Sequence, residues 1–214
     1  MIAMMHKIVL TGFEPFGPTR DLVNPSWEMV SNFPSSPSVF SNCDFQVFQI
    51  PLVYHSIHLK VQEILENEDP DIMICTGQSS SSMICVERVA LNVADVYQRG
   101  SGWNCGAKPQ DEILVEDGPC AYFSTLPIRE IVTKIQEAKI PATVSNHAGT
   151  FGCNQIFYLL MYELEKRNKH IPAGFIHVPP LPIQAIDRFW SSMSLELMIK
   201  ALEIALEVTL KKIG

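Results

Sequence analysis

The chain has 214 residues, 47% of them hydrophobic and 18% charged, with a formal net charge of −7 at pH 7. That length and balance fit a folded globular protein with one substantial α/β core rather than a disordered chain. The acidic balance supplies no basic footprint for nucleic acid, and no stretch reaches the roughly 20 apolar residues of a membrane span, so neither partner is expected.

Met1 to Lys7 holds no extended apolar segment ahead of its first charge, and Ile8-Val9-Leu10 is too short for a signal-peptide core. The expectation is a cytoplasmic protein with reduced thiols. The six cysteines (Cys43, Cys75, Cys85, Cys105, Cys120 and Cys153) form no Cys-x-x-Cys pair, and Cys105 and Cys120 flank a loop-like segment where oxidation could join them.

Strand and helix signals then alternate. Lys7 to Thr11 reads as a strand that runs into a loop rich in Gly and Pro. Pro25 to Asn32 suits a short helix, with Asn24 as N-cap and Pro25 at the first helical position. Phe45 to Ile50 alternates as a half-buried strand. Tyr54 to Asn67 places Ile57, Val61, Ile64 and Leu65 on one helix face. Asp71 to Thr76 reads as a strand ending at Gly77-Gln78 and a serine-rich turn, and Cys85 to Val93 as a fourth. Val96 to Tyr122, containing Trp103, is the one long irregular segment, a length that usually marks function or mobility. Pro127 to Ala138 follows as a helix, capped by Ser124 or Thr125. Pro141 to Ser145 and Gly174 to Val178 read as strands, Gln155 to Lys166 and Ser194 to Ile213 as helices.

Repeated strand-then-helix units imply an α/β fold with a mainly parallel, twisted sheet covered on both faces. Ligands in such folds bind beyond the carboxyl ends of strands, which gathers the loops after Thr11, Thr76, Ser145 and Ile176 at one edge.

Candidate chemistry falls at that edge. Cys153 sits where a glycine-bearing turn enters a helix, and unpaired N–H groups with the positive dipole end favour a thiolate there. A buried structural thiol is the other reading. His177 ends an apolar strand, which suits either a packing residue or a general base beside a helix-borne nucleophile. Glu87, flanked by apolar residues, reads either as the carboxylate that orients such a histidine or as a salt-bridge partner of Arg88 or a helix end. Phe13 and Phe16 lie three residues apart on the first loop. They either cover the core or wall an apolar slot for a small flat ring, with Phe151 as a further wall.

Taken together, Thr11-Gly-Phe-Glu-Pro-Phe-Gly17, Asn24-Pro-Ser-Trp27, Gly77-Gln78, Glu87-Arg-Val-Ala-Leu-Asn92, Ala121 to Pro127, Ser145 to Asn154 and Gly174 to Pro179 resemble, in order, the motifs of the pyrrolidone-carboxylate peptidase (pyroglutamyl peptidase I) family. The resemblance implies a single-domain α/β/α sandwich over residues 1–214, assembled as a homo-oligomer (tetramer or dimer), with no metal or cofactor. It implies a cysteine peptidase that removes N-terminal pyroglutamate through Cys153, His177 and Glu87. The ring pocket maps onto Phe13, Phe16 and Phe151, with Asn24 and the backbone of Gln78 meeting the lactam.

Two stretches depart from the family pattern. Ser79 to Met83 stands where the family shows glycines and an arginine. Tyr97 takes the position of an arginine in the segment after Asn92, with Arg99 two residues on. These departures bear on rate and substrate acceptance. They leave open an amidase of another small acyl group or a pyroglutamyl-binding homologue with impaired turnover. A nucleoside phosphorylase would need phosphate-binding arginines, and Arg20, Arg88 and Arg99 form no cluster in sequence.

Overall fold

In the computed structural model, residues 5–16, 23–33, 40–96 and 104–213 are described, and Tyr97, Arg99 and Trp103 lie outside them. The elements, in chain order, are β1 (His6–Phe13), α1 (Pro25–Ser31), β2 (Cys43–Ile50), α2 (Ser56–Glu68), β3 (Ile72–Gln78), β4 (Ile84–Glu87), β5 (Val89–Leu91), β6 (Ala121–Phe123), α3 (Ile128–Glu137), β7 (Ala142–Ser145), α4 (Gly152–Lys166), β8 (Ala173–Val178) and α5 (Leu195–Leu210). A 3-10 turn, Pro182–Ala185, lies between β8 and α5.

The main sheet runs β2-β1-β3-β8-β4-β7. Every ladder in it is parallel except that of β4 with β8. Its middle strands are apolar without alternation because both faces are covered. Along β1 and β3, Ile8, Leu10, Ile72 and Ile74 enter one core with Met29 of α1, Ile131 of α3 and Met198 of α5. Val9, Met73 and Cys75 point the other way, to Ile57 of α2 and Leu160 of α4. The two-residue period of a strand thus builds two cores from one sheet, the α/β/α layering expected.

Local signals set several boundaries. Asn24 caps α1 by accepting the Ser26 N–H at 3.0 Å, with Pro25 beside it. Ser194 caps α5 by accepting from Leu197 N. A Cβ at Gly12 would lie 2.6 Å from the backbone nitrogen of Trp27, so β1 passes this close to α1 only with glycine there.

Four expectations are corrected. Cys85 to Val93 is not one strand: β4 stays in the main sheet, while β5 leaves to pair antiparallel with β6. Arg88 makes the break, its N–H donating to Ser145 O and its carbonyl accepting from Ser124 N, both at 2.9 Å. Second, β6 starts inside the stretch read as irregular, held by its partner β5 rather than by a pattern of its own.

Third, no side chain among the described residues caps α3. The Thr125 hydroxyl donates to Ile171 O at 2.8 Å, and Ser124 Oγ accepts from Leu126 N at 3.2 Å, so both are spent on the preceding turn. Fourth, β7 runs with β4 against β8, so the carboxyl-edge rule collects the loops after β1, β3 and β8 but not the one after β7. Residues 146–151 bring the chain to the site instead. All six cysteines are free, Cys105 and Cys120 being exposed. No helix among the described residues is long and apolar enough to cross a membrane.

Candidate active site

The apolar stripe of α4, with Ile156, Leu159, Leu160 and Leu164 buried, seats the helix on the sheet. The two residues after Cys153 then fix its first turn. Asn154 accepts Leu91 N at 2.8 Å and donates to Leu91 O and Val93 O at 2.9 Å, while Gln155 donates to Tyr54 O at 2.9 Å. Among the described residues no side chain caps α4, which leaves its first N–H groups open to a ligand. Cys153 itself is half-buried. Gly77, near the end of β3, makes room for it: a Cβ there would lie 2.7 Å from Cys153 Sγ and 2.8 Å from Phe175 Cζ.

His177 stands on β8 with its ring edge-on to Phe175, centroids 4.8 Å apart. Its Nδ1 is 2.7 Å from Glu87 Oε1. A carboxylate only accepts, so Nδ1–H donates and Nε2 is left for the thiol of Cys153. Burial works against a charged ring here. The negative charge of Cys153, the hydrogen bond to it and the pairing with Glu87 outweigh that and push His177 up to about 9.

Glu87 is 2% exposed, and its Oε2 has no hydrogen-bond partner among the described residues. A carboxylate so desolvated needs a cation, which a protonated His177 supplies. The Arg88 alternative does not occur: Arg88 Nε donates to Asn146 Oδ1 at 3.2 Å.

Burial raises three other thiols. It pushes Cys75, behind the site, up to about 12, with the Cys153 charge adding to the shift. Cys43 and Cys85 are raised by burial as well.

A cavity of about 640 Å³ opens over these groups, a size that suits a small organic ligand. Its lining includes all eight residues singled out from sequence: Phe13, Phe16, Asn24, Gln78, Glu87, Phe151, Cys153 and His177. Phe16 and Phe151 face each other with centroids 6.3 Å apart, and Phe13 is 2% exposed behind them. Asn24 is less free than its motif suggests. Its Oδ1 accepts from both the N–H and the hydroxyl of Ser26, and its Nδ2 donates to Glu14 O, so one amide proton remains for a ligand.

Ser79 to Ser81, from the stretch that departs from the family pattern, also line the cavity, and sequence reasoning missed Cys85, Pro180, Phe189 and Trp190 beside them. Cys85 could have been found, since it stands two residues before Glu87 on one strand and shares its face. Asn154 had no readable signal, because its partners on β5 are more than 60 residues away.

The comparisons agree with one another. A family model for pyroglutamyl peptidase matches residues 6–212. Over 208 residues the chain is 43% identical to the pyrrolidone-carboxylate peptidase of Bacillus cereus, covering 96% of this chain and 94% of that one. The solved pyroglutamyl peptidase I of Bacillus amyloliquefaciens superposes with a TM-score of 0.89 at 39% identity, covering 96% of this chain and 95% of that one. The pyrrolidone carboxyl peptidase of Thermococcus litoralis gives 0.90 at 34% identity, covering 98% and 95%.

Proposed function

This chain belongs to the pyroglutamyl peptidase family, and from that membership we propose how its own residues divide the chemistry: Cys153 as nucleophile, His177 as acid and base, Glu87 as the carboxylate that orients it. The protein is a pyroglutamyl-peptidase I, a cysteine-type hydrolase that removes N-terminal pyroglutamate from peptides. The contact of His177 Nδ1 with Glu87 Oε1, on a ring that Cys153 also helps to hold protonated, carries the proposed division of roles.

The Cys153 thiolate attacks the pyroglutamyl carbonyl. Charge moves to the carbonyl oxygen, where the uncapped N–H groups at the start of α4 stabilise it. As the tetrahedral species collapses, the carbon–nitrogen bond breaks and His177 gives its proton to the leaving amine. The thioester is then attacked by water, from which His177 takes a proton, and pyroglutamate leaves as the thiolate returns.

The lactam sits between Phe16 and Phe151 over Phe13, with Asn24 and the Gln78 backbone on its polar edge. A free glutamyl or glutaminyl terminus would carry an unpaired ammonium into this slot, at a cost on the order of several kcal/mol. The chain acts as one catalytic domain over 1–214, and the unbroken family match supports this. It works in the cytoplasm, as its thiol-rich, disulfide-free chain suggests. It also assembles with copies of itself; exposed Ile183, Ile186 and Phe189 support that reading, and sedimentation tests it.

Hydrolysis of a pyroglutamyl amide with a chromogenic leaving group tests the assignment. Wild type should turn it over and reject the matching glutamyl and glutaminyl amides, with Cys153→Ala inactive. Full activity in that variant would remove the proposed nucleophile.

A further inference from the structure

The 3-10 turn after β8 carries a buried glutamine whose hydrogen bonds have only one consistent arrangement. Gln184 is 7% exposed. Its Oε1 accepts the backbone N–H of Leu181 at 2.9 Å. A backbone N–H can only donate, so that atom is the oxygen and the other is the nitrogen. Gln184 Nε2 then donates to Val23 O and to the side chain of Gln78, each at 3.2 Å. A carbonyl can only accept, which agrees.

The atom of Gln78 that meets this donor must therefore be its Oε1. Gln78 Nε2, with two N–H donors, is turned away from Gln184, and Gln78 makes no other side-chain hydrogen bond among the described residues. Gln78 lines the cavity and follows Gly77, the residue against which Cys153 Sγ rests. The three partners of Gln184 also join three walls of that cavity: Val23 precedes Asn24, Leu181 follows Pro180, and Gln78 is itself a wall.

We propose that Gln184 is a positioning residue that holds the Gln78 carboxamide with its NH₂ toward the cavity, where it donates to a carbonyl oxygen of the bound acyl group. This rests on the reading of the cavity as the pyroglutamyl site. A reversed Gln78 would set its oxygen against that carbonyl, replacing an attraction with a repulsion. Gln184 thereby selects acyl groups that offer an acceptor at this point, without touching them itself.

The decisive variant is Gln184→Glu, nearly equal in shape. One carboxylate oxygen still accepts from Leu181, but the other faces Gln78 and attracts its NH₂, reversing the Gln78 carboxamide. With a pyroglutamyl amide substrate, KM should rise about three- to tenfold, the scale of one hydrogen bond between neutral groups, while kcat changes less. Gln78→Ala should raise KM to a similar extent, and the double variant should do no worse than Gln78→Ala alone, because both act through one bond.

Thermal unfolding of each variant separates folding from binding. Should Gln184→Glu fail to fold, Gln184→Met with Gln78→Ala completes the same cycle, and methionine too should raise KM. Unchanged KM in Gln184→Glu or Gln184→Met, unchanged KM in Gln78→Ala, or additive losses in the double variant would overturn the proposal. Wild-type turnover is the control: without it the functional reading falls as well, whereas with it only the role of Gln184 is at stake.

Discussion

His177 holds its Nδ1 2.7 Å from Oε1 of Glu87, and the two side chains are 9% and 2% exposed. Few solvent molecules reach this pair, and Glu87 together with the thiol beyond it holds the proton on His177. They stand 90 positions apart in sequence, and the antiparallel ladder of β4 on β8 closes that distance by setting Cys85 opposite His177.

The pair predicts the alkaline limb of the pH profile. His177 is raised to about 9, so it keeps its proton through neutrality and loses it as pH climbs through that value. Above it the leaving amine has no acid, and kcat/KM should fall with an apparent pKa near 9. The same sign governs stability. A proton held more tightly in the folded state stabilises the fold fully below the ordinary 6.5, and that contribution disappears as pH rises through about 9. An activity profile still flat well above that pH would contradict the assignment.

Glu87→Gln should lower kcat by about a hundred- to ten-thousand-fold with a much smaller change in KM, since orientation of the ring matters most as the proton moves. It should also shift the alkaline limb to lower pH, because one of the groups raising His177 is gone. Steady-state kinetics across pH checks both; an unaltered kcat removes Glu87 from the triad.

Gly77→Ala tests the room made for the sulfur. Its methyl would begin 2.7 Å from Cys153 Sγ, so the sulfur or the strand must move. A displacement near 1 Å costs about a hundredfold in rate, and the loss should fall on kcat. Wild-type kcat with alanine there would mean that the thiol has more freedom than the close approach implies.

The aromatic slot divides into a wall and a foundation. Phe16 is only partly buried and faces Phe151, so Phe16→Ala should raise KM about tenfold with little loss of stability. Phe13 belongs to the core with Ile50 and Phe151, and Phe13→Ala should also cost about 3–5 kcal/mol of stability. Denaturation curves beside Michaelis constants separate the two; equal effects on both would place the slot elsewhere.

Most of this architecture could be read before any coordinates. Ile8-Val9-Leu10 and Ile72-Met73-Ile74 announce strands covered on both faces, and Asn24-Pro25 announces a helix start, because these signals are local. The break at Arg88 and the pairing of β5 with β6 were not legible, since they arise when the Arg88 backbone bonds to Ser145 on one side and Ser124 on the other. Cys153, His177 and Glu87 could be named from their strand-end and helix-start positions, with alternatives left open for each. What the sequence could not supply was the closure between them, a property of strand order. Asn154 and Gln184 escaped for the same reason: a buried amide shows its purpose only once its partners are in place.

The most direct test traps the acyl group. Wild-type enzyme mixed with a pyroglutamyl ester and quenched in acid within a turnover should carry one pyroglutamyl group as a thioester on the peptide that contains Cys153, as seen by mass spectrometry. Cys153→Ala should carry none. An acyl group on another residue, or its absence while wild type is turning over with deacylation rate-limiting, would contradict the central claim that this thiol attacks the substrate.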